Sequence, residues 1–256
     1  MDIHKTAIVD KQAQLTDDVE IGPYCFIGPD VKIASGSRIG AHAVIEGHTS
    51  IGKNCKIFTG ACLGSIPQDL KYQGEKTYLE IGENNIFREY VTVNLGTESG
   101  SKTVIGKNNL LMAYSHVAHD CIVGDECIIA NCGTLAGHVT IQDKAVIGGL
   151  VAVHQFVTVG RLSIIGGCSK VVQDIPPFST CDGHPTRVYG INMVGLKRNG
   201  VSQEEIMQLK KSFKILFMSK LSFPHAIEKV KAQIRVSQSI SYLIDFIKNS
   251  KRGVCR

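Results

Sequence analysis

The sequence predicts a mainly β protein: a parallel β-helix of six-residue repeats followed by a C-terminal α-helical domain. Three observations carry that expectation. An aliphatic residue recurs at every sixth position over most of the chain, two polar segments interrupt the rhythm without losing its phase, and the C-terminal quarter switches to helical periodicity.

Internal repeats come first, because missing one misreads the whole fold. From Ile3 the sixth-position series runs Val9, Leu15, Ile21, Ile27, Ile33, Ile39, Ile45, Ile51, Ile57 and Leu63. It resumes at Ile105 and continues through Leu111, Val117, Val123, Ile129, Leu135, Ile141, Ile147, Val153, Val159 and Ile165 to Val171, with Ile81, Phe87 and Val93 holding the phase between the two blocks. A helix needs a period near 3.6 and an ordinary strand a period of 2. A period of six fits a short strand plus a turn, repeated. The aliphatic side chain then points inward, and the small residue four positions later, as at Cys25, Cys55, Cys121 and Cys127, fills the corner. Glycine often follows the aliphatic, as at Gly22, Gly40 and Gly148, and is expected to supply the freedom for the turn. Stacked coils bury a continuous core that no single repeat can build.

Two insertions, near 66–80 and 95–103, are polar and contain glycine, so they read as loops leaving the solenoid. Solenoid insertions commonly sit near binding sites. Pro176-Pro177 should end the hydrogen-bonded stack, and an irregular linker is expected to about Val201. Ser202 with Glu205 has capping-box spacing, and Ile206, Leu209, Phe213 and Leu216 follow at helical intervals. Residues 224–236 and 239–249 read as two further amphipathic helices. The expected division is 1–190 for the β-helix and 191–256 for the helical domain, whose role is to cap the solenoid and pack against a partner subunit.

Composition narrows the function. The chain has 256 residues, 43% hydrophobic and 20% charged, within the ordinary soluble range. A net charge of +5, dispersed along the chain, suits an anionic small molecule or an acidic partner protein and gives no footprint for nucleic acid. The N-terminus lacks an apolar signal core, and no apolar run reaches the ~18 residues of a membrane span, so a cytoplasmic protein without an integral membrane segment is expected. Nine cysteines, with no C-x-x-C pair, read as reduced structural thiols.

The repeat resembles that of the hexapeptide-repeat acyltransferases, whose fold is a left-handed parallel β-helix. The resemblance implies a triangular coil of about 18 residues and a left-handed path, an exception to the usual crossover rule. With that coil as a ruler, residues 18 apart stack about 4.8 Å from each other. His119 then lies under Gly137 and Gln155, and Asp120 under His138 and Phe156. His154 stands one position before that column, and His116 is near the same corner. Histidines gathered in three consecutive coils point to catalysis or ligand binding. Zinc is the first competitor, but His116 and His119 are three apart with no evident third ligand. Acid–base chemistry fits better: a neutral imidazole removes a proton from a nucleophile, and a carboxylate such as Asp120 orients it. Sequential residues on a flat strand face apart, so His119 and Asp120 need a corner or a subunit boundary to meet. Gly137 allows close backbone approach, and its N–H is placed to donate to an oxyanion.

A narrower resemblance covers nearly the whole chain. PQDLKY (67–72), IGENNIFREYVTVNLGT (81–97), NNLLMAYSHVAHDC (108–121), LAGHV (135–139), HQF (154–156), GGCS (166–169), QDIPPF (173–178) and GLKRNG (195–200) are similar to segments of the UDP-N-acetylglucosamine O-acyltransferases of lipid A synthesis. The resemblance implies His119 as general base for the sugar 3-hydroxyl, Asp120 as its support and Gly137 as oxyanion donor. It implies Asp69, Lys71, His116, His138, His154, Gln155, Asn192 and Arg198 as substrate contacts, and Ile164 and Gly167 along the acyl chain. It also implies acyl carrier protein as donor, UDP-N-acetylglucosamine as acceptor, a homotrimer with sites between subunits, and no metal or organic cofactor. Asn94-Leu95, Val194 and Asn199 depart from the commonest pattern and leave the acceptor atom, a 3-hydroxyl or a 3-amine, open. Two alternatives stand beside this. One is the related N-acyltransferase of the same pathway, against which the start of the repeat at Ile3 counts. The other is a non-catalytic solenoid scaffold, which predicts no histidine column.

Overall fold

The computed structural model describes residues 2–256. From Asp2 to Val171 the chain winds into a solenoid of short parallel strands, in which Ile3 pairs with Ile21 and Val117 with Leu135. These strands fall into three sheets, nine, nine and eight of them in each. These are the three faces of the coil. The first carries Ile21, Ile39 and Ile57 inward, the second Ile27, Ile45 and Leu63, and the third Ile33, Ile51 and Ile81. Every inward position of the series from Ile21 to Val171 is buried. Each such side chain contributes about 1.5–3 kcal/mol of burial free energy. Cys25, Cys55, Cys121 and Cys127 are buried in the corners, and none of the cysteines is in a disulfide.

Glycines such as Gly40 and Gly52, which follow an inward residue, serve stacking rather than the turn. A Cβ on Gly40 would meet the Ile57 carbonyl oxygen at 3.0 Å, and one on Gly52 would meet the Gly82 carbonyl carbon at 2.5 Å. These glycines let successive coils approach. The left-handed conformation falls two residues later, on Tyr24, His42 and Asn54, at φ of 57°, 59° and 56°. Such a conformation costs an L-residue about 1–2 kcal/mol. The stack offsets it, because the strained N–H reaches the coil below: His42 N donates to Pro23 O and Asn54 N to Ser35 O, both at 2.9 Å.

Two loops leave the solenoid, over 66–77 and 95–101. The chain re-enters the sheet sooner than polarity alone suggested, because strands Tyr78–Ile81 and Lys102–Ile105 form, with Leu79 and Thr103 fully buried. The loops are tied together by Gly100 N donating to Lys76 O at 2.9 Å.

Beyond Val171 the expected irregular linker contains an antiparallel hairpin, Ser179–Gly183 with Thr186–Ile191. Its first strand is templated by the open edge of the first face, where Cys181 pairs with Ile165. That partner lies outside any local window of sequence. Four helices follow: α1 (Met193–Arg198), α2 (Gln203–Phe217), α3 (Phe223–Gln233) and α4 (Gln238–Asn249). The Ser202 hydroxyl caps α2 by accepting from Glu205 N at 3.2 Å, but the Glu205 carboxylate accepts from Ser237 rather than closing the capping box. α3 ends three residues before Val236, because Ser237 caps α4 by accepting from Ile240 N. Leu196, Leu209, Phe213, Val230 and Leu243 form a second apolar cluster with Leu162 and Phe178 of the solenoid end. The last residues return to the solenoid. Asp174 N donates to Gly253 O, Cys255 N donates to Asp174 O, and the Cys255 side chain is buried with the solenoid core.

Candidate active site

The edge between the second and third faces carries Asp120, His138 and Phe156 in successive coils, all left-handed, at φ of 57°, 61° and 65°. That corner resolves the difficulty of two sequential side chains. The His119 ring and the Asp120 carboxylate turn toward each other within one chain, with Nδ1 to Oδ2 at 2.9 Å. The ruler holds at this edge. His138 N donates to His119 O at 3.0 Å, the His138 and Phe156 rings stack at 4.6 Å, and His138 meets the His119 ring edge-on at 5.1 Å.

Gly137 lies above the His119 ring, so that an added Cβ would meet ring atoms at 2.3–3.0 Å. Only glycine leaves that ring its place. No acceptor among the described residues receives the Gly137 N–H. Burial pushes the Asp120 carboxyl up, but hydrogen bonds from Thr97 and His119 outweigh it and hold the group below the usual carboxylate value. An ionised Asp120 accepting from Nδ1–H leaves Nε2 as the basic atom.

The first loop brings Asp69 over this ring, with Oδ2 4.0 Å from His119 Nε2. A cleft of about 590 Å³ opens there, lined by Asp69, Lys71, Thr97, His138 and Phe156 among others. His119, Asp120 and His138 offer atoms within 4.8 Å of one another, a spacing that would also admit a cation. Asp120 Oδ2, however, already accepts from both His119 and Thr97.

The remaining expected residues fall into three groups. His116 stands on the outer side of the second face, its Nδ1 2.7 Å from the Thr92 hydroxyl. Burial, and next the neighbouring His119, push its imidazole down. His154 and Gln155 are exposed in the coil above Gly137, with His154 Nδ1 3.3 Å from Gln155 O. Asn192, Arg198, Ile164 and Gly167 are not on this edge. Asn192 caps α1, accepting from Gly195 N and donating to Leu162 O at the corner between the third and first faces, and Arg198 ends that helix. Ile164 is half-buried on the first face, and Gly167 is exposed at the corner between the first and second faces. Sequence reasoning passed over Thr97, whose only signal is its place in the second insertion.

A hexapeptide solenoid with an imidazole–carboxylate pair on one edge defines the class of bacterial hexapeptide transferases, and the profile described as "Bacterial transferase hexapeptide (six repeats)" matches residues 102–137. A second profile, "Udp N-acetylglucosamine O-acyltransferase; Domain 2", matches residues 174–255. The acyl-[acyl-carrier-protein]–UDP-N-acetylglucosamine O-acyltransferase of Thermodesulfovibrio yellowstonii is 51% identical over 256 residues, covering 100% of this chain and 99% of the relative. Its namesake from Syntrophobacter fumaroxidans is 45% identical, with 100% of both chains covered. Among solved structures, the UDP-N-acetylglucosamine acyltransferase of Bacteroides fragilis superposes with a TM-score of 0.96 at 41% identity, covering 99% of this chain and 100% of that one. The chain belongs to the acyl-carrier-protein-dependent UDP-N-acetylglucosamine O-acyltransferase family, and it is an acyltransferase with a left-handed β-helix.

Proposed function

We propose that this protein transfers an acyl chain from acyl carrier protein to the 3-hydroxyl of UDP-N-acetylglucosamine, the first step of lipid A biosynthesis, with His119 as general base. The His119–Asp120 hydrogen bond of 2.9 Å, with Nε2 facing the Asp69-bearing loop, carries this reading. Nε2 takes the hydroxyl proton as the oxygen attacks the thioester carbonyl. Asp120 stabilises the imidazolium formed, and the free Gly137 N–H donates to the oxyanion. When the tetrahedral intermediate collapses, the imidazolium returns the proton to the leaving thiolate. Asp69, Lys71, His138, His154 and Gln155 position the sugar nucleotide, together with His116.

Asn192 lies at the corner between the third and first faces with Arg198 ending its helix, Ile164 and Gly167 lie on the first face and just beyond it, and His119 and His138 lie on the edge between the second and third faces. A homotrimer with sites between subunits lets these groups serve one reaction, which supports the oligomer. The chain divides near residue 190 into solenoid and helical domain. Among the described residues no helix is long and apolar enough to cross a membrane. The working compartment in this proposal is the cytoplasm. The acidic carrier protein suits the net charge of +5.

The test measures transfer from a panel of hydroxyacyl carrier proteins to UDP-N-acetylglucosamine and its 3-amino analogue, with wild type and His119→Ala. The variant is expected to stay folded and lose transfer by at least about a hundredfold. Activity near wild type in the folded variant removes His119 as the base. Preference for the 3-amino sugar replaces the acceptor.

A further inference from the structure

We propose that Thr97, in the second loop, is a positioning residue for acyl transfer: it fixes the Asp120 carboxylate so that it serves His119 and not His138. The inference rests on His119 being the base.

Asp120 sits between two imidazoles. Its Oδ2 is 2.9 Å from His119 Nδ1 and 3.8 Å from His138 Nε2, so a modest rotation about the Cβ–Cγ bond would exchange one partner for the other. Thr97 opposes that rotation at both oxygens. Its hydroxyl donates to Oδ2 at 2.6 Å and its backbone N–H to Oδ1 at 3.3 Å. Two donors from one residue define the carboxylate plane. The backbone is held independently, since Asp120 N donates to the Thr103 hydroxyl at 2.8 Å. The side chains of His119 and Asp120 are 13% and 10% exposed, so water does not readily replace a lost donor. The titratable groups facing the pair are His138 beside Asp120 and Asp69 beside His119 Nε2, with His116 on the preceding strand.

Thr97 is anchored in turn. Leu95 N donates to Ser65 O at 3.1 Å, Gly96 N to Tyr78 O at 3.3 Å, and the Asn94 amide to Ile66 O at 3.1 Å. These bonds grip both roots of the first loop, the one that carries Asp69. One short segment therefore places Asp69 on one side of the His119 ring and Asp120 on the other. Its residues, unlike the histidines, carry no repeat that marks them.

The experiment is a double-mutant cycle in the full-length enzyme, following kcat and KM with UDP-N-acetylglucosamine. Thr97→Val keeps shape and backbone N–H but removes the hydroxyl, Thr97→Ser keeps the hydroxyl, and both are also made in Asp120→Asn. Thr97→Val is expected to lower kcat about 10- to 100-fold, the range for a hydrogen bond to a charged group, with KM changed less than about threefold. Thr97→Ser restores most of the rate. In the Asp120→Asn background Thr97→Val costs little more, because residues acting through one another are not additive. Thermal unfolding checks each variant, and Thr97→Ala replaces Thr97→Val in the cycle if the latter does not fold.

A full, additive loss in the Asp120→Asn background overturns the proposal, as does a rise in KM without a fall in kcat, or a wild-type rate in Thr97→Val. Failure of the base assignment is distinguishable, because His119→Ala would then remain active whatever Thr97 does.

Discussion

Gly137→Ala isolates the placement of the His119 ring from everything else in the site. The Gly137 φ lies outside the left-handed region, so the backbone accepts alanine. The new methyl would sit 2.3 Å from His119 Cε1 and 2.5 Å from Nε2, whereas ordinary contact starts near 3.4 Å. The ring must retreat by about an ångström. The Nδ1–Oδ2 distance, now 2.9 Å, then leaves the hydrogen-bond range. A misplacement of about 1 Å costs roughly a hundredfold in rate, or about 2.7 kcal/mol of transition-state stabilisation. Folding should be spared, since Gly→Ala at a compatible backbone stabilises by about 0.4–1 kcal/mol through the unfolded chain. Steady-state transfer to UDP-N-acetylglucosamine reads the first effect, and thermal unfolding the second. A folded Gly137→Ala enzyme working within about threefold of wild type would refute the reasoning, because the ring would not need the space glycine leaves.

Two further outcomes are expected. Burial pushes the Cys121 and Cys127 thiols up to about 12, so alkylation of the native protein should label exposed Cys168 first and leave those two untouched until denaturant is added; mass spectrometry of the peptides checks the order. His116 has its pKa lowered from 6.5 in the folded state, so the unfolded chain binds the extra proton and stability should fall as pH drops below about 6.5. Denaturant midpoints from pH 8 to 5 measure this, and His116→Asn should flatten that part of the slope, whereas an unchanged slope would show that other groups set it.

The solenoid was legible in the sequence because each rung repeats the same problem. Ile21, Ile39 and Ile57 face the same core through the same turn, so a period of six encodes both strand and corner. The 18-residue coil implied by the family resemblance placed His119 beneath Gly137 and His138 beneath Phe156. The parts that escaped are those whose partners lie far along the chain. The hairpin strand Ser179–Gly183 forms because the edge at Ile165 accepts it, and Glu205 bonds Ser237 rather than its own helix start. Thr97 reaches Asp120 from a loop with no periodicity. The glycines misled for another reason. Both a turn and a close approach call for a missing Cβ, and only the backbone φ separates them.

The return of the chain end to Asp174 bears on assembly as well as on packing. A parallel stack has no intrinsic length, since its last coil offers the same row of N–H and carbonyl groups as every coil beneath it. Left bare, that row would accept the first coil of another copy, and the product would be a filament. Here the hairpin occupies the first face, while Gly253 and Cys255 take up the backbone groups of Asp174 and plug the core behind them. These few residues act as a terminator that keeps a polymerisable architecture a discrete molecule.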